Sequence, residues 1–103
     1  MTKDEFIKHF SLLLKSAINY ARLYAVQTYL EYYELKRHIT SSIPCMMADE
    51  IKEEIKRYDK EMKYYYNLFK ELDALYVKEL ESESLDEKFK IMKMFNELMY
   101  VIN

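Results

Sequence analysis

Between Ala48 and Tyr76, apolar side chains fall at Ala48, Ile51, Ile55, Tyr58, Met62, Tyr65, Phe69, Leu72 and Tyr76. The steps between them alternate between three and four, which places all nine on one stripe of a continuous helix. No Gly or Pro interrupts the run. The pattern predicts a helix from about residue 43 to 80, with Ser42 as its N-cap and Pro44 in the first turn, where a missing N–H costs nothing. In the first half of this helix the stripe is narrow and edged by Lys52, Glu54, Asp59 and Glu61. In the second half Tyr66, Leu68 and Leu75 broaden it.

A second pattern precedes it. Thr2 and Glu5 have the spacing of a capping box. Beyond them Phe6, Phe10, Leu13, Leu14, Ala17, Ala21, Tyr24, Thr28 and Leu35 recur at helical spacing, and Ile7, Ile18, Ala25, Tyr29 and Tyr32 widen the stripe. From Ala17 to Tyr33 the only charges are Arg22 and Glu31. A helix that is apolar on most sides is buried on most sides. The predicted span is about 3 to 38, closed by the loop signal of Thr40, Ser41, Ser42 and Pro44. A third helix, about 85 to 102, follows the break at Glu81-Ser82-Glu83. Ser84 and Glu87 repeat the capping-box spacing, and Leu85, Phe89, Met92, Phe95, Met99 and Ile102 form its apolar face.

Two helices of matched length and a short loop make an antiparallel hairpin. The third helix is about half as long, so it covers only the half of the hairpin near its own connection. The expected fold is therefore all-α and forms a single domain: a three-helix bundle at one end and a bare hairpin at the other. One facing helix cannot cover the apolar surface of the bare end. The economical solution is a homodimer in which two hairpins form a helical bundle, with Leu23, Val26, Tyr29, Leu30 and Tyr33 at the interface. The alanines at 17, 21 and 25 are expected to let helices approach closely there.

Composition sharpens this picture. The 103 residues contain no Gly and one Pro, which argues against a turn-rich chain. Sixteen basic against 18 acidic residues give a net charge of −2, not the basic field of a general nucleic-acid binder. One Cys forms no internal disulfide, which suits a cytoplasmic protein. Leu12 to Leu30 is interrupted by Lys15, Asn19, Arg22 and Gln27 and is too polar for a membrane span. Abundant Lys and Glu with a single Gln match a thermophile's composition, and a low-GC coding bias produces much the same.

Chemistry-bearing patterns are few. Glu5/His9 and Glu34/His38 are four apart, without the Glu-x-x-His step and the further carboxylates of bundle metal sites, so no metal and no cofactor is expected. Cys45 has no adjacent nucleophile pattern and reads as a small apolar residue. No glycine loop or nucleophile elbow is present, and no enzymatic activity is expected. Lys52, Lys56, Lys60 and Lys63 form a basic strip suited to a phosphate backbone, interleaved with Glu50, Glu53, Glu54, Asp59 and Glu61. Tyr32-Tyr33 and Tyr64-Tyr65-Tyr66 cannot all face a core, and an outward Tyr favours an interface. A ligand pocket lined by the Met-rich third helix is a more remote alternative. The expectation is a non-enzymatic protein–protein interaction module, of the kind met among accessory proteins of viruses and mobile elements that bind a host factor. The alternative is a small nucleic-acid-associated regulator working through the lysine strip.

Overall fold

The computed structural model describes residues 1–42 and 48–102. Among these the chain is all-α, with helices α1 (Lys3–Ser42), α2 (Ala48–Glu81) and α3 (Leu85–Ile102) and no strand. The first capping box closes as its spacing predicts. Thr2 N donates to Glu5 Oε2 at 3.2 Å, and Glu5 N donates to Thr2 Oγ1 at 3.2 Å. The second is shifted. Glu87 N donates to Ser84 Oγ at 3.2 Å, but Glu87 Oε2 reaches back to Glu83 N at 3.3 Å.

α1 runs four residues beyond the expected His38. Thr40 Oγ1 donates to the carbonyls of Lys36 and Arg37, both at 3.0 Å, and Ser41 Oγ to that of His38 at 3.2 Å. These hydroxyls bond back into the last turns instead of breaking them. Ser42, expected as the N-cap of the second helix, is instead the last residue of α1. Pro44 and Cys45, with their expected roles, lie outside the described residues.

Along α1 and α2 the hairpin is held by Arg22, whose Nη1 lies 2.7 Å from Asp73 Oδ1 and whose guanidinium sits 4.1 Å above the Tyr76 ring. Farther along, Lys36 Nζ lies 2.6 Å from Asp59 Oδ1. Ring pairs Tyr32–Tyr58 at 5.9 Å and Tyr29–Tyr66 at 6.2 Å fill the space between them. α3 folds back over the second half of α2. The buried core gathers where all three helices meet: Leu14, Ile18, Leu75 and Ile91 in one cluster, Ala21, Ala25, Leu68 and Leu72 in the next, with Phe95 and Leu98 packed against both.

The inward face of α1 differs from the expected one. Ile7, Ser11, Leu14, Ile18, Ala21, Ala25, Thr28 and Tyr32, at steps of four and three, are buried or half-buried. Leu13, Ala17, Tyr24 and Leu35, expected inside, are exposed. A helix apolar on most sides carries no periodic signal that fixes which side faces inward. The partners α2 and α3 decide it. Ala21 and Ala25 provide a close approach, but to Leu68 and Leu72 of the same chain.

The molecule is a rod of 68 × 20 × 18 Å with a radius of gyration of 18.8 Å. A compact chain of this length has about 13 Å.

Candidate functional site

Opposite the inward stripe, α1 carries a second one. Leu12, Ser16, Asn19, Leu23, Val26, Leu30, Tyr33 and Arg37 follow the same alternation of four and three, offset to the far side of the helix. Leu12 is 62 % exposed, Leu23 60 % and Leu30 52 %. Tyr33 is exposed and Val26 half-buried. Leu23, Val26, Leu30 and Leu35 share one shallow apolar surface, with Gln27, Glu31, Glu34 and His38 along it. Leucines half in water on one continuous helix face forgo roughly half of the ~1.5–3 kcal/mol that full burial of such a side chain is worth. Of the five residues expected at an interface, four belong to this outer stripe. The fifth, Tyr29, is half-buried and turns toward the Tyr66 ring.

Lys52, Lys56, Lys60 and Lys63 all lie exposed on the outer side of α2. Lys56 Nζ lies 3.7 Å from Glu53 Oε1. Lys52, Lys60 and Lys63 have no carboxylate within ion-pair distance among the described residues. Lys70 extends the strip and sits 5.3 Å above the Tyr66 ring. Tyr33 and Tyr64 are exposed, while Tyr65 is half-buried in a ring cluster with Tyr24, Tyr32 and Tyr64. Burial of Tyr65 pushes its phenol up to about 12, with Tyr24 and Glu61 adding to the shift.

A group that the hydrophobic pattern passes over lies under α3. Glu79 is fully buried, at 0 % exposure, and Lys88 is 4 % exposed. Lys88 Nζ donates to Glu79 Oε1 at 2.9 Å, Ser82 Oγ at 2.8 Å, Ser11 Oγ at 3.1 Å and the Ser82 carbonyl at 3.2 Å. Ser11 Oγ donates to Glu79 Oε1. α1 contributes Ser11, α3 contributes Lys88, and α2 with its exit contributes Glu79 and Ser82. One buried ion pair therefore ties three helices at a single level. The sequence signal was present: each of the three occupies an apolar stripe position, Ser11 between Ile7 and Leu14, Glu79 after Leu72 and Tyr76, Lys88 before Ile91 and Phe95. A polar residue on the stripe of each helix marks one shared buried contact.

Among the described residues, no three His, Cys, Asp or Glu side chains converge on a place for a metal ion. Glu5 is engaged at the α1 cap and Glu34 lies 3.0 Å from Arg37 Nη2. The groove lined by Leu68, Leu75, Met94 and Leu98 is on the surface between α2 and α3. Among the described residues, no helix is long and apolar enough to cross a membrane. No known protein family, curated protein or solved structure matches this chain.

Proposed function

We propose that this chain is a non-enzymatic helical interaction module that works by presenting the outer stripe of α1 to another helix, beginning with that of a second copy. The supporting observation is the exposed leucine face of Leu12, Leu23 and Leu30 on a helix whose opposite face is already buried. Contiguous apolar surface of this kind marks interaction sites on soluble proteins. The tyrosines left outside, Tyr20 and Tyr100 foremost, supply rigid amphipathic area for a further protein partner, such as a host factor. A lone cysteine suits the cytoplasm.

Light scattering after size exclusion tests this reading, with Leu30→Glu run alongside. The wild type is expected at twice the 12.7 kDa chain mass and the variant at the mass of one chain. A wild-type monomer at all concentrations refutes self-association.

A second reading rests on Lys52, Lys60 and Lys63, exposed along one side of α2 without acidic partners among the described residues. Such a strip suits a nucleic-acid backbone. Gel-shift binding that weakens steeply with salt, and is lost when these lysines become Gln, supports it.

A further inference from the structure

The orientation of the self-associated state follows from the order of residues along the outer stripe. We infer that two copies of α1 pack antiparallel along this stripe, with Leu23 of one copy across from Tyr33 of the other and Val26 across from Leu30. The inference rests on the proposed self-association and specifies its geometry.

The apolar run Leu23, Val26, Leu30, Tyr33 is symmetric in spacing about its own middle. In antiparallel coiled coils the two kinds of stripe position alternate across the seam, and this run then forms four apolar layers. The next layer out on each side sets Asn19 against Arg37, and the one after it sets Ser16 against Thr40. No seam charge meets its own copy. The flanking acids Glu31 and Glu34 lie beside Gln27 and Tyr20 of the second copy, both uncharged.

A parallel pairing sets each position against itself. Arg37 then meets Arg37 in the seam, and the continuation of the stripe toward the N-terminus, at His9 and Glu5, brings Glu5 onto Glu5. Like charges held at a seam oppose association and select against that partner arrangement.

The exposed area leaves room for a second copy. A compact monomer of 12.7 kDa exposes about 6,200 Å². This chain exposes 7802 Å². The surplus of about 1,600 Å² is twice what each partner contributes to a standard interface. Overlap from Ser16 to Thr40 is about 36 Å of helix, and its second half lies along the end of the hairpin that α3 leaves bare.

Distance measurement between spin labels decides the orientation. A nitroxide is placed on Lys8→Cys, an exposed site beside the stripe, in a Cys45→Ser background, with helicity and mass checked before and after labelling. The antiparallel pairing separates the two labels by more than about 50 Å, because they sit at opposite ends of the overlap. A parallel pairing brings them within about 25 Å, because packed helix axes are 8–10 Å apart. A dimer with the short distance overturns the antiparallel inference and leaves self-association standing. A monomeric labelled and unlabelled chain overturns both. As a second measurement, mixing Leu23→Cys chains with Tyr33→Cys chains is expected to give a mixed disulfide. Leu23→Cys alone is not expected to cross-link to itself, since the two sulfurs then lie about 15 Å apart along the axis.

Discussion

The Glu79–Lys88 pair shows how much one residue controls here. Both groups are buried, so the attraction between them is set against the cost of removing two charges from water. Replacing Lys88 by Met leaves the Glu79 carboxylate buried with Ser11 and Ser82 as its remaining partners. The expected loss is about 3–5 kcal/mol in urea or thermal unfolding. The double replacement Glu79→Leu with Lys88→Met removes both charges together, and it is expected to be neutral or stabilising. A double variant as unstable as the single would mean that packing of the Lys88 stem, not charge, dominates. Tyr65 gives a second residue-level expectation. Its phenol is raised from 10.0 to about 12, first by burial, so the folded state holds that proton more tightly than the unfolded chain does. The resulting stability is complete below pH 10 and is lost as pH rises through 12. Phenolate absorbance should show one tyrosine in the last-titrating class, and Tyr65→Phe should remove it. The sequence marks the buried pair only as a polar residue on each helix's stripe, without saying which meets which. Ser11 and Glu79 are 68 positions apart, and Tyr65 was recognisable only as a stripe residue.

At the scale of elements, the helices themselves were legible and their azimuth was not. The presence of three helices, the hairpin and the half-length α3 follow from spacing and length, while α1 runs through the expected break to Ser42. The inward side of α1 does not follow, because leucines and tyrosines surround it from Leu12 to Tyr33. The pattern on α2 is cleaner because lysines and glutamates occupy its outer side: the predicted stripe from Ile51 to Tyr76 is buried or half-buried, although Tyr66, expected to broaden it, is exposed. Unequal coverage by α3 implies unequal local stability. Ile91→Ala, in the three-helix end, is expected to cost about 2–5 kcal/mol, whereas Ile55→Ala, half-buried in the bare hairpin, should cost clearly less. Amide exchange should follow the same gradient. Amides around Ile18 and Leu72 are expected to exchange only on global opening, and those from 27 to 39 and 51 to 62 through smaller openings. If a second copy covers α1, protection between 27 and 39 should rise with protein concentration while the three-helix end stays unchanged. Protection that is uniform along the rod would contradict the division into a covered and a bare end.

For the whole molecule, the two proposed surfaces differ in the force that operates on them, and salt separates them. The outer stripe of α1 is apolar over its four central layers. The chain as a whole carries only −2, so two copies repel each other weakly. Surface charge interactions are screened beyond about 10 Å at 0.1 M salt, while apolar burial is not. Self-association through the stripe is therefore expected to change by less than about threefold between low and high ionic strength, a range over which the Debye length falls severalfold. The lysine strip behaves in the opposite way. Four lysine contacts to duplex phosphates give a slope of about −3 to −4 in log affinity against log salt, from release of bound counterions. Measuring the dimer and the gel-shift constants over one salt series, on the same wild-type protein, places each surface. A dimer that dissolves as salt rises would mean that flanking pairs, not the leucines, hold it. A dimer indifferent to salt, with the long label separation, leaves the leucine stripe as the driving surface and the lysines free for a separate anionic partner.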